Sequence, residues 1–124
     1  MMKLYGFDMV NPRKACAVAK YLQTPIDYVR VDLGRGEHQR PDYLALNPNG
    51  KLPTLADGTC TLREADAIMC HLAARADSEL WPQEDRQIEV IRWLSGNLAD
   101  FYKCGGTLAW SAILLAATAN VAPA

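Results

Sequence analysis

Apolar positions along this chain fall into short runs broken by turn residues. Lys3–Phe7 is an apolar run closed by Asp8, the pattern of a buried strand. Asn11-Pro12 opens a helical stretch that runs to about Gln23 and stops ahead of Pro25. Asparagine is a favoured N-cap, and proline suits the first helical position because its missing N–H would have no partner there. From Asp27 to Leu33 the side chains alternate, with Val29, Val31 and Leu33 on one side and Tyr28, Arg30 and Asp32 on the other, as in a half-buried strand. Strand, helix and strand in that order predict a βαβ unit with a right-handed crossover.

Gly34–Arg40 is a polar loop and Pro41–Leu46 one or two helical turns, followed by the turn-rich Asn47-Pro48-Asn49-Gly50. Thr54–Ala56 and Cys60–Leu62 read as a hairpin turning at Asp57-Gly58. Glu64–Arg75 reads as a helix with Ala67, Ile68, His71 and Leu72 on one stripe. The pattern predicts an α/β domain, β-α-β-α-β-β-α, over residues 1–77. A linker, Ala76–Pro82, ends in Trp81-Pro82. Beyond it Ile88, Ile91, Leu94, Leu98 and Phe101 recur at helical spacing, predicting an amphipathic helix that ends at Gly105-Gly106. Thr107–Ala124 is apolar, alanine-rich and uncharged. Residues 84–124 are therefore expected to form a separate helical region.

Composition narrows the function more than the fold. A chain of 124 residues suffices for one domain with a core and not for two full ones. A net charge of −1 with no Lys/Arg run offers no field to hold nucleic acid. Leu108–Ala119 falls short of the roughly 20 residues of a membrane span, and the chain opens on a strand with no leader-like stretch. A cytoplasmic protein without nucleic-acid or membrane partners is expected. Cys16, Cys60, Cys70 and Cys104 form no CxxC pair and no metal-ligand spacing with His38 or His71. They read as free, mostly buried thiols, and no metal is expected. His71, on the apolar face of its helix, reads as a satisfied core histidine, and Trp81, Trp93 and Trp110 read as packing residues.

Three segments carry possible chemistry. At Asn11-Pro12 the helix N-terminus and an amide donor could stabilise an anion such as a thiolate, although Asn11 has no proton to exchange and cannot be a base or nucleophile; the plainer reading of Asn11 is a cap. In Asn47–Thr54, a cis Leu52-Pro53 bond would leave the Leu52 N–H and C=O free to pair with an extended peptide, against the plainer reading of a proline at a strand start. At Arg63–Ile68, the Ala65 N–H could hold a carboxylate and Glu64 an ammonium group, against ordinary placement of acidic residues in a first helical turn.

In sequence order, these motifs make residues 2 to about 104 resemble the glutathione S-transferases, with the spacing of phi, theta and bacterial members. Lys3-Leu4-Tyr5-Gly6 is similar to the opening strand, Asn11-Pro12 stands in place of the Ser-Pro or Cys-Pro loop, and Gly36–Gln39 with Pro41–Leu44 is similar to the loop and helix near the glycine end of glutathione. Asn47-Pro48-Asn49-Gly50-Lys51-Leu52-Pro53-Thr54-Leu55 resembles the cis-proline segment, Glu64-Ala65-Asp66-Ala67-Ile68 the Glu-Ser-x-Ala-Ile signature, and Trp81-Pro82 with Trp93-Leu94 the entry to the helical domain. The resemblance implies a thioredoxin-like domain followed by an incomplete all-α domain over residues 84–124, a homodimer, and glutathione as co-substrate with no other cofactor. It places His38, Gln39 and Lys51 on the glycine carboxylate, Leu52 and Pro53 along the cysteine, Glu64 and Ala65 on the γ-glutamyl end, and Asn11 at the sulfur.

Departures bear on activity. Asn11 replaces Ser or Cys, Ala65 replaces Ser, and a family domain of four or five helices is represented by one helix and an unfamiliar tail, as in a truncated or frame-shifted product or a naturally short paralogue. The expected function is addition of glutathione thiolate to small hydrophobic electrophiles, weakly or not at all. The alternative is a non-catalytic glutathione-binding or dimerisation module. Thiol–disulfide exchange has no Cys-Pro-x-Cys loop, since Asn11-Pro12-Arg13-Lys14 stands in its place and Cys16 lies inside the helix.

Overall fold

The structure, a computed structural model, describes residues 1–96. The expected end of the second helix at Gly105-Gly106, the Thr107–Ala124 tail, Cys104 and Trp110 lie outside the described residues. The chain divides into two compact units, the first Met1–Leu72 and the second beginning at Ala73.

The first unit is a four-stranded sheet, β1 (Met2–Gly6), β2 (Ile26–Arg30), β3 (Thr54–Asp57) and β4 (Cys60–Arg63), ordered β2-β1-β3-β4. β1 and β2 run parallel, as strands joined by a helical crossover must; β3 lies antiparallel to β1 and to β4. With α1 (Val10–Tyr21), α2 (Pro41–Leu46) and α3 (Ala65–Arg75), this is the mixed α/β, thioredoxin-like arrangement.

One apolar cluster joins Met2 and Leu4 of β1, Leu55 of β3, Ala15 and Ala19 of α1, and Ile68 and Leu72 of α3. Those two helices therefore cover the same sheet face. Each fully buried Leu or Ile there contributes about 1.5–3 kcal/mol. Tyr5 and Thr54 alternate with Leu4 and Leu55 and so face the other way. There Tyr43 of α2 packs its ring edge-on to Tyr5, centroids 6.1 Å apart.

Several boundaries differ from the sequence reading for local reasons. α1 begins at Val10 with Met9 as its extended N-cap, whose carbonyl takes the Arg13 N–H at 3.1 Å. Asn11 is thus inside the first turn and is not the cap. β2 ends at Arg30 instead of Leu33 because Asp32 turns the chain: its N–H donates to Glu37 Oε2 at 2.7 Å while its Oδ1 accepts the Arg35 N–H at 3.2 Å. The hairpin turns at Gly58-Thr59, since Asp57 and Cys60 pair; Gly58, at φ +60°, supplies the left-handed conformation. On α3 the stripe is centred on Ala65, Ile68, Met69 and Leu72, and Ala67 is exposed.

Cys16 and Cys70 are half-buried and Cys60 is exposed, so the described thiols are free but less buried than expected. His71 Nε2 lies 3.3 Å from Asp57 Oδ2, the partner a half-buried histidine needs. In the second unit α4 spans Arg86–Gly96 and exposes Ile88, Ile91 and Trp93; Trp93 lies against the Arg92 guanidinium instead of in a core. Among the described residues no helix is long and apolar enough to cross a membrane, and no group of three or more His, Cys, Asp or Glu could hold a metal ion.

Candidate binding site at one end of the sheet

The strand register gathers the chemistry-bearing segments. Tyr5 pairs with Thr54 and Thr54 with Arg63, so the end of β1, the start of β3 and the end of β4 share one edge of the sheet. Asn11 follows β1 there, Leu52-Pro53 precedes β3, and Glu64-Ala65 follows β4. Pro12 is buried and packs close to Gly6, where an added Cβ would meet Pro12 Cβ at 3.1 Å, so the start of α1 is seated against the end of β1.

The Leu52-Pro53 bond is cis. Among the described residues the Leu52 N–H and C=O take no hydrogen bond. The Asn11 amide, the Lys51 ammonium and the Glu64 carboxylate are also without side-chain partners among the described residues. Glu64 adopts φ +69°, a left-handed conformation that costs a non-glycine residue of order 1 kcal/mol and concentrates at ligand sites. Its carbonyl accepts the Ile68 N–H at 3.0 Å, so Glu64 caps α3 through its backbone while its side chain stays free. The N–H groups that follow, Ala65 first, belong to a helix start and have no intrahelical acceptor.

His38 and Gln39 lie on a short helical turn, Glu37–Gln39. Both border Gly50: a Cβ there would meet Gln39 Nε2 at 2.8 Å and the His38 carbonyl at 3.2 Å. Gly50 also sits at φ +61°, so a side chain at this position is excluded twice over. His38 Nδ1 is buried with no partner among the described residues. The eight predicted site residues all belong to the first unit.

Sequence reasoning missed the support beneath the site. Lys14 Nζ donates to Asp66 Oδ1 at 3.0 Å, with the lysine side chain only 4% exposed and the aspartate 15%. Asp66 Oδ2 is buried and unpartnered among the described residues. This pair bridges α1, just after Asn11, to the first turn of α3. Its members are 52 residues apart, and no local pattern marks them.

The half-buried thiols Cys16 and Cys70 do not suit nucleophilic chemistry. Burial, with a smaller contribution from Asp66, pushes the Cys70 thiol up to about 11, and burial also raises Cys16. Since the thiolate is the reactive form, Cys70 alkylation by iodoacetamide should stay slow through pH 9 and accelerate only as pH approaches 11. The raised value has a second consequence. In the unfolded chain the thiol ionises first, so this group's contribution to stability is complete below its ordinary value of 9.0 and is lost as pH rises toward about 11. Rapid labelling at pH 7 would contradict the placement.

Known proteins resemble this chain over the same residues. Residues 1–74 match the glutathione S-transferase N-terminal domain. Glutathione S-transferase F9 of Arabidopsis thaliana is 33% identical over 98 residues, covering 76% of this chain and 46% of the relative. Glutathione S-transferase 3 of Zea mays is 36% identical over 97 residues, 75% and 44% respectively. Among solved structures, the theta class glutathione S-transferase of Xanthomonas axonopodis pv. citri, with glutathione bound, superposes with a TM-score of 0.76 at 33% identity over 82% of this chain and 50% of that one. The chain spans about half the length of these proteins.

Proposed function

The chain belongs to the glutathione S-transferase family, and on that premise we propose that it binds glutathione at the end of the sheet and presents its thiolate to small hydrophobic electrophiles. The observation that carries this reading is Leu52, whose main-chain N–H and C=O are unpaired where Asn11, Lys51 and Glu64 also present free polar groups. An extended tripeptide would pair its cysteine with that main chain. Its glycine carboxylate would reach Lys51, His38 and Gln39. Its γ-glutamyl end would meet the Ala65 N–H with its carboxylate and Glu64 with its ammonium group.

Asn11 would face the sulfur. A free thiol near pKa 8.5 needs about 1.4 kcal/mol of stabilisation for each unit it is lowered. The helix start and one amide hydrogen bond to the anion together supply about 1.5–3 kcal/mol, one to two units. The proton goes to solvent, since Asn11 cannot take it. The thiolate then forms the S–C bond as the leaving group departs with the bonding pair.

A non-catalytic glutathione-binding or dimerisation module is the second reading. It is favoured by the side chain at position 11 having no ionisable proton and by Ala65 lacking a hydroxyl. A homodimer is part of both readings; the exposed Ile88, Ile91 and Trp93 of α4 favour a covered face. Cytoplasmic location goes with the glutathione supply.

Glutathione titrated into 15N-labelled protein should give saturable amide shifts with a Kd of about 1 mM or below. Absence of saturation at about ten times that concentration would refute the binding. Turnover of chlorodinitrobenzene by the same sample selects the enzyme; binding without turnover selects the module.

A further inference from the structure

Leu52 and Pro53 lie between two residues that are gripped from α2. The Tyr43 phenol donates to the Lys51 carbonyl at 2.6 Å and lies 2.7 Å from Thr54 Oγ1. Asn47, which follows α2, donates from Nδ2 to the same Lys51 carbonyl at 2.9 Å and to Thr54 Oγ1 at 3.2 Å. A phenol has a single proton, so with Tyr43 donating to Lys51 the Thr54 hydroxyl must donate to Tyr43. Every polar atom of Asn47 is then used: Oδ1 accepts the Asn49 N–H at 3.1 Å, its carbonyl the Gly50 N–H at 2.9 Å, and its own N–H reaches the Tyr43 carbonyl at 2.9 Å.

Asn47 and Thr54 are 2% and 0% exposed. Losing one of the bonds between these side chains therefore strands a buried group. Burial outweighs the side-chain hydrogen bonds and holds the Tyr43 phenol above its ordinary range. The effect is selective. The Lys51 carbonyl receives two donors, Thr54 Oγ1 is fixed on both sides, and Leu52 between them is left unbonded.

We propose that Asn47 and Tyr43 are positioning residues that hold the Leu52 main chain in the shape an extended peptide ligand pairs with. The identity of that ligand rests on the glutathione reading; the grip on the loop does not. Asn47 reads from sequence as an ordinary turn residue, and Tyr43 as part of a short helix.

Asn47→Asp keeps the size of the side chain and turns its donor into an acceptor facing the Lys51 carbonyl. The glutathione Kd should rise about tenfold or more, and in ligand-free protein the Leu52 amide order parameter should fall from about 0.85 to below about 0.6. Tyr43→Phe removes one donor and leaves Asn47 in place, so a rise of about two- to fivefold in Kd is expected. It also decides the matter if Asn47→Asp does not fold. A merely structural role would lower the melting temperature and leave Kd and the Leu52 order parameter unchanged, and that result overturns the proposal. Should the unaltered protein not bind glutathione, the ligand assignment falls separately. The order parameter then decides: a mobile Leu52 in the variants supports the grip, and a rigid one overturns it.

Discussion

Replacing Lys14 with alanine is expected to destabilise the protein by about 3–5 kcal/mol, a large part of the 5–15 kcal/mol typical of a folded domain. The cause is what remains behind. Lys14 is almost fully buried, and its ammonium is the partner of Asp66 Oδ1, while Asp66 Oδ2 has none among the described residues. Without Lys14 a carboxylate stays in a low-dielectric site with neither a counter-charge nor full hydrogen bonding. Replacing both residues with apolar ones, Lys14→Met with Asp66→Leu, should recover most of the loss, because the desolvation cost of the pair disappears with its attraction. Urea unfolding followed by far-ultraviolet circular dichroism reads both. A loss below about 1 kcal/mol for Lys14→Ala is the range of exposed pairs, and it would mean that the bridge between α1 and α3 is hydrated.

Ala65→Ser should tighten glutathione binding about ten- to a hundredfold. Ala65 is the first residue of α3 and follows Glu64, whose left-handed backbone starts the helix. Its N–H is one of the helix's unpaired donors, and a hydroxyl here adds a second donor to the same carboxylate. A hydrogen bond to a charged group contributes about 1.5–3 kcal/mol, and each 1.4 kcal/mol is tenfold in affinity. Titration of the variant beside the parent protein measures the ratio. An unchanged Kd would place the γ-glutamyl carboxylate elsewhere.

What could be read from the sequence follows the range of each signal. α2 was legible over Pro41–Leu46 because a proline opens it and a turn-rich segment closes it. The hairpin was legible from the Asp57-Gly58 punctuation, misplaced by one residue. The start of α1 was not, since Met9 caps with extended backbone and no side-chain hydrogen bond. β2 ended early because of Asp32 and Glu37, an interaction that alternation does not encode. The positive φ of Glu64 falls on a residue type that gives no hint of it. The Lys14–Asp66 bridge and the grip of Tyr43 and Asn47 on Thr54 needed the fold itself, because helix and strand periods report which side a residue faces and not which distant residue it meets. The segments proposed to bind glutathione are legible from the order of their motifs, and the register of β1, β3 and β4 brings the chain before β3 and after β1 and β4 to one end of the sheet.

The Leu52 amide, followed during the glutathione titration, tests the central claim most directly. The account predicts that its proton shifts downfield and becomes protected from exchange in step with saturation, as a free main-chain donor gains the ligand's carbonyl. Saturable binding that leaves the Leu52 amide unshifted and unprotected would contradict it.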